Sequence, residues 1–202
     1  MNLNLLRGWA AIGLSLLLAA QTASAASTPA AAATLSANSV YQLKMALTDQ
    51  QGRSVGLDAG RGHPVLVSMF YTSCEFVCPM LVEALRDTEA KLSADERSRT
   101  SVLLVTFDPV RDTVAVLQKT AAQRELDPSH WTMARTDPAS VRKLAAVLGV
   151  QYRLLPNGDY NHTTALILLD AQGRIAGRTT QLGDADPAFV LKVKAAVRGA
   201  AP

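Results

Sequence analysis

Two hydrophobic patterns alternate along the chain. Short apolar runs bounded by polar turns recur at residues 65–70 (Val-Leu-Val-Ser-Met-Phe), 101–107 (Ser-Val-Leu-Leu-Val-Thr-Phe) and 163–169. Near-continuous runs of this length predict strands buried on both faces of a parallel or mixed sheet. Between them the apolar period lengthens. Over residues 79–92, Leu81, Leu85, Thr88 and Leu92 fall on one helical face, with Glu83, Arg86, Asp87 and Glu89 around it. Residues 108–113 (Asp-Pro-Val-Arg-Asp-Thr) read as a loop and cap into a helix over about 113–125, with Asp112 as the N-cap. Asp137-Pro138 caps a helix that runs through Leu148 and is closed by Gly149, and Asp186-Pro187 starts a last helix to about Arg198.

Smaller elements fill the gaps. Residues 40–47 alternate as a strand, turn at 49–52 and return over 54–57, so a hairpin opens the folded part. Residues 130–134 predict a short strand, 150–155 extend before a turn at 156–159, and 170–173 turn into a strand over 174–178. The succession of β and α elements, ending in an antiparallel hairpin and a helix, predicts a three-layer α/β sheet. A cysteine pair between the first central strand and its helix makes the arrangement thioredoxin-like. The expected domain is therefore a thioredoxin-like three-layer fold over residues 38–199, with an N-terminal β-hairpin extension.

Residues 1–25 change the picture of where this domain works. Arg7 supplies a positive n-region, residues 10–20 are apolar, and Ala23-Ser24-Ala25 is an A-x-A cleavage site. The apolar run is short of the ~20 residues needed to span a bilayer. A signal peptide and a periplasmic product are expected, with an uncleaved membrane anchor as the alternative. Residues 26–37 read as a disordered spacer rich in Ala, Ser, Thr and Pro. The chain of 202 residues carries a net charge of +3, and without Arg7 19 basic residues face 17 acidic ones. Lys and Arg are scattered, so no nucleic-acid or membrane-surface footprint is present.

Candidate chemistry gathers at Cys74 and Cys78, the only cysteines. An exported compartment is oxidising, so a thiol pair there calls for a function. A helix beginning near Cys74 would put both sulfurs on one face and lower their pKa through its N-terminal dipole. A structural disulfide would close a very small loop and stabilise little. A dithiol redox couple and a soft-metal site remain, and the metal site wants a third ligand. Of the three histidines, His63 reads as a loop residue and His130 as a packing or hydrogen-bonding one. His162 stands just before the strand over 163–169, and in a thioredoxin-like domain the loop entering that strand faces the cysteine pair. Two thiolates and one imidazole are too few for a closed structural zinc site and suit copper. Met69, Met80 and Met133 are conceivable extra ligands, better read as core filler.

Three segments together, Thr72-Ser73-Cys74-Glu75-Phe76-Val77-Cys78-Pro79, Asp108-Pro109-Val110-Arg111-Asp112-Thr113 and Asn161-His162-Thr163, resemble the SCO/SenC family in order and spacing. That family comprises thioredoxin-like copper-binding proteins associated with assembly of the CuA centre of cytochrome c oxidase, and the resemblance covers about residues 38–198. It implies that Cys74, Cys78 and His162 hold copper as Cu(I), Cu(II) or both. It also implies a copper chaperone, rather than an enzyme, that delivers its ion to the CuA subunit of cytochrome c oxidase or to another periplasmic copper protein. Membrane contact would then come only through the acceptor or an uncleaved N-terminal segment. One departure stands out: Glu75 replaces the first proline of the family's Cys-Pro-x-x-Cys-Pro, which puts a carboxylate beside Cys74. Glu75, Asp108 and Asp112 are candidates for side chains just outside the ligands. The rival reading is a thiol–disulfide oxidoreductase that keeps target cysteines reduced. A peroxidase is disfavoured because the proline its pattern requires before the cysteine is missing.

Overall fold

Three consecutive parallel strands carry the centre of the molecule. In the computed structural model, which describes residues 35–74 and 77–200, these are β3 (Val65–Phe70), β4 (Ser101–Thr106) and β5 (Trp131–Arg135). Val65 pairs with Ser101 and Phe70 with Thr106, so β3 and β4 run in register to a common carboxyl edge. All six residues of β3 are buried, as the unbroken apolar run requires. The expected signal peptide, most of the expected spacer, and Glu75 and Phe76 lie outside the described residues.

The first hairpin is β1 (Ala46–Asp49) and β2 (Ser54–Gly56), with Leu47 opposite Val55. Asp49 closes its turn by accepting the N–H groups of Gln51 and Arg53 and pairing with the Arg53 guanidinium. β1 also pairs antiparallel with β5, so the N-terminal hairpin extends one end of the main sheet. On the other flank β8 (Leu166–Leu169) pairs antiparallel with β3, and β9 (Ile175–Thr179) with β8. The seven-stranded order is β2-β1-β5-β4-β3-β8-β9. A second, two-stranded sheet is the hairpin of β6 (Tyr152–Leu154) and β7 (Tyr160–His162).

The helices are α1 (Val77–Ala90), α2 (Ala94–Ser98), α3 (Val114–Gln123), α4 (Pro138–Leu148) and α5 (Pro187–Gly199). Leu81, Leu85 and Thr88 form the buried face of α1, as their spacing predicts. Arg86 of α1 donates to the Arg124 carbonyl that ends α3, so these two helices lie side by side. Asp137 and Asp186 cap α4 and α5 ahead of a proline, and Gly149 ends α4 with φ 62°, the left-handed cap that glycine adopts without strain. Among the described residues no helix is long and apolar enough to cross a membrane.

Several expectations are corrected. Residues 40–42 form a 3₁₀ turn instead of the start of a strand, because Val40 and Tyr41 are both buried rather than alternating. Leu35 packs against the core, so the folded part reaches at least three residues further back than expected. β8 begins at Leu166 rather than 163, the extension expected over 150–155 ahead of the turn is β6, and α2 and β7 were not expected as elements. Glu89, expected on the solvent side of α1, is buried and bonded to His130. The N-cap of α3 is Thr113, whose side chain accepts the Val116 N–H, and not Asp112.

Candidate metal centre

The carboxyl edge of β3 leads directly into the cysteine motif. Phe70 is followed by a turn over residues 71–74, in which the Cys74 N–H reaches the Tyr71 carbonyl at 3.4 Å. Cys78 is the second residue of α1. Cys74 thus lies outside the helix, and the expected placing of both sulfurs on one helical face is not seen. Cys74 and Cys78 are only 8% and 6% exposed. No disulfide joins them, and the Cys74 side chain is near enough to act on the Cys78 thiol. Burial pushes the Cys78 thiol up to about 12, and the Cys74 side chain adds to the rise. The Tyr71 backbone N–H and the Arg124 charge act the other way and lose. Without a cation Cys78 is a thiol at neutral pH, the opposite of the activation expected from a helix N-terminus, because desolvation outweighs the dipole.

His162 ends β7, opposite Tyr152. It is half-buried, and burial holds its pKa below the usual imidazole range, so the ring is neutral at pH 7 and able to donate a lone pair. The Thr163 carbonyl lies 3.4 Å from Nδ1. The Thr164 hydroxyl stands at the same 3.4 Å from that nitrogen.

Tyr71 joins the two halves. Its buried side chain interacts with that of Cys74, and its ring meets Tyr160 edge-on at 5.2 Å and His162 edge-on at 5.7 Å. Phe107, directly after β4, is the hub of the same cluster. Its ring centroid stands 5.0 Å from His162 and Tyr160 and 5.2 Å from Tyr71 and Tyr152. Arg111 covers the outer side of Tyr160 at 5.5 Å. The β6–β7 hairpin is therefore seated on the main sheet through rings, and His162 is seated with it. Sequence reading missed Tyr71, Phe107, Tyr152 and Tyr160. The one available signal was that three of the chain's four tyrosines, at 71, 152 and 160, flank the cysteine and histidine motifs.

The structure brings Cys74 and Cys78 near each other and links His162 to them through Tyr71. Among the described residues no group of three His, Cys, Asp or Glu side chains is drawn together closely enough to hold a metal. Of the other candidates, Glu75 lies outside the described residues. Asp108 is buried and pairs with Arg111. Asp112 is fully buried and turns inward, where it accepts hydrogen bonds from the Thr72 N–H and from the Thr72 and Thr106 hydroxyls. Met69 and Met133 are core residues, whereas Met80 is exposed. His63 bonds Ser101 at 3.1 Å and His130 bonds Glu89, well apart from this cluster in the chain's contacts.

The sequence model of the SCO1/SenC family matches residues 34–198. The chain belongs to the SCO1/SenC family. A SCO1 protein homolog of Bacillus subtilis (strain 168) is 30% identical over 83 residues, which span 41% of this chain and 42% of that relative. The chain thus matches about two-fifths of the length of that curated relative. Bradyrhizobium japonicum ScoI, solved with copper bound, superposes with a TM-score of 0.60 at 28% identity, covering 75% of this chain and 96% of that one. BsSco, described as a Sco-family cytochrome c oxidase assembly protein with a disulfide switch, superposes with a TM-score of 0.66 at 21% identity, covering 76% and 91%. The thioredoxin-like fold expected for this SCO1/SenC chain is the fold these structures share.

Proposed function

We propose that the protein is an exported copper chaperone that takes one copper ion as cargo on Cys74, Cys78 and His162 and passes it to a CuA-type site of cytochrome c oxidase. The observation that carries this reading is the meeting of two buried, neighbouring thiols with a neutral imidazole through one shared neighbour, Tyr71. Membership of a family with a copper-bound relative supports it. The donor set fits the cargo. Thiolates are soft ligands, and imidazole is acceptable to copper in both valences. A bound cation offsets the desolvation that keeps Cys78 protonated, so loading releases protons. Three ligands leave a position for an incoming acceptor ligand, which a transfer protein needs. Phe70, Tyr71, Leu81 and Leu104 line the small cavity beside Cys78 and keep water from its sulfur until a partner arrives. Removal of the leader at residues 1–25 would leave this domain in the periplasm.

Anaerobic titration of the reduced protein with Cu(I), followed by X-ray absorption at the metal, tests the reading. One copper with two sulfurs and one nitrogen is expected. His162→Ala should weaken Cu(I) binding, measured against a competing chelator, by at least ~10-fold, the lower end of what losing even an outer partner of a ligand costs. Unchanged affinity in that variant would remove His162 from the site. The rival reading, a reductant of protein disulfides, draws on the same neighbouring thiols. It predicts turnover of a protein disulfide without copper retention, and the high pKa of Cys78 counts against it as an attacking group.

A further inference from the structure

Asp112 is a buried carboxylate without the job its sequence position suggests. Thr113 caps α3. The Asp112 side chain instead crosses from the loop after β4 to the turn after β3, a separation of 40 residues along the chain. Its oxygens take both donors of Thr72: the N–H, at 3.1 Å from Oδ2 and 3.3 Å from Oδ1, and the hydroxyl. The Thr106 hydroxyl donates to Oδ2 as well, and Thr106 in turn accepts the Asp108 N–H at 3.0 Å. The Asp112 backbone is itself tied down, its N–H bonding the Asp108 carbonyl at 3.0 Å.

Thr72 lies two residues before Cys74. Within the turn that carries Cys74, the backbone bond from the Cys74 N–H to the Tyr71 carbonyl is, at 3.4 Å, longer than a good hydrogen bond. The bonds into Asp112 are charge-assisted and mostly shorter, so they are the firmer restraint. A buried carboxylate is kept only when its hydrogen bonds are satisfied. Here every one of them serves either the cysteine turn or the strand end beside it.

We propose that Asp112 is a positioning residue for the cysteine pair: by holding both donors of Thr72 it sets where Cys74 stands against Cys78, and so tunes the pair's affinity for a soft metal and its dithiol–disulfide equilibrium. The affinity half rests on the copper reading above, and the equilibrium half does not. A turn pinned at Thr72 resists the closure of Cys74 onto Cys78 that a disulfide requires. Forming that bond with glutathione disulfide as oxidant breaks its S–S bond. Two electrons and two protons leave the cysteines, and two glutathione thiols are released.

The experiment uses the reduced, metal-free protein and the variants Asp112→Ala, Thr72→Val and Thr72→Ser. Three quantities are measured: the disulfide fraction in glutathione redox buffers, Cu(I) affinity by chelator competition, and the urea midpoint. Asp112→Ala and Thr72→Val should shift the equilibrium toward the disulfide ~10-fold, or about 30 mV for a two-electron couple, and weaken Cu(I) binding by ~10-fold, as the loss of an outer partner does. Thr72→Ser keeps both donors and should stay within about twofold of the parent in both. If Asp112→Ala and Thr72→Val lower only the urea midpoint, or shift the equilibrium toward the dithiol, the proposal is overturned. Should Asp112→Ala fail to fold, the Thr72→Val and Thr72→Ser pair decides alone, and equal behaviour of the two refutes positioning. A parent protein that binds no copper overturns the copper reading, and the glutathione titration then still decides the role of Asp112.

Discussion

Phe107→Ala should damage the fold and the candidate site together. The ring is 2% exposed, and it is the one residue in ring contact with His162, Tyr71, Tyr152 and Tyr160 at once. A fully buried phenylalanine takes roughly 150–250 Å² out of water, worth about 4–6 kcal/mol at ~25 cal/mol per Å². Truncation to alanine keeps the Cβ but leaves a cavity, so about 3–5 kcal/mol is expected. For a domain of this size that is a fall in Tm of ~6–20 °C, at ~2–4 °C per kcal/mol. The loss should not be uniform. An isolated two-stranded hairpin is marginal in water, and β6–β7 rests on Phe107. Its amides should lose protection from hydrogen exchange while those of β3 and β4 keep theirs. Phe107→Leu restores volume without the ring and should cost only about 1–1.5 kcal/mol. Urea unfolding with an unchanged m-value gives the stability, and amide exchange at residues 152–154 and 160–162 gives the local effect. A loss below about 1.5 kcal/mol, or a hairpin as protected as in the parent, would refute the view that Phe107 seats His162.

Two further outcomes follow from groups away from the cysteines. Burial, and then the charge of His130, hold the His63 pKa below 6.5. The folded state therefore binds fewer protons than the unfolded chain below that pH, and stability falls as pH drops from 6.5 through the lowered folded value. His63→Asn should flatten, without abolishing, the decline in urea midpoint between pH 7.5 and 5, since His162 shifts the same way; an unchanged slope would remove His63 as a contributor. At Gly173 the backbone sits at φ +76° and an added Cβ would run into the Tyr41 ring. Gly173→Ala should thus cost at least ~2 kcal/mol through strain and displacement of a buried ring, and a loss below ~0.5 kcal/mol by urea unfolding would show that the turn at 170–173 yields freely.

What could be read without the structure follows the range of the forces involved. The run over 65–70, the caps at Asp137 and Asp186 and the stop at Gly149 depend on residues within a turn or two of themselves, and each stands where its pattern puts it. The segment over 40–47 misled because Val40 and Tyr41 are buried by distant packing, including the Gly173 turn, and not by strand alternation. The N-cap assigned to Asp112 failed for a like reason. Thr113 was an equally good local cap, and only the approach of Thr72 from 40 residues away made an inward carboxylate worth burying.

The motif at 68–80 and the histidine at 162 were visible in the sequence by themselves, because residue type and spacing carry their chemistry. So was the family they resemble. The protonation of Cys78, the bridging place of Tyr71, the seat of His162 on Phe107 and the anchoring of Thr72 were decided only by tertiary structure. All four depend on which strands end side by side and what they bury between them. β3 and β4 reach a common edge at Phe70 and Thr106, and the β6–β7 hairpin is laid against that edge by its rings. Desolvation and contact there act between residues up to about 90 positions apart, as from Tyr71 to His162, and no local pattern encodes them.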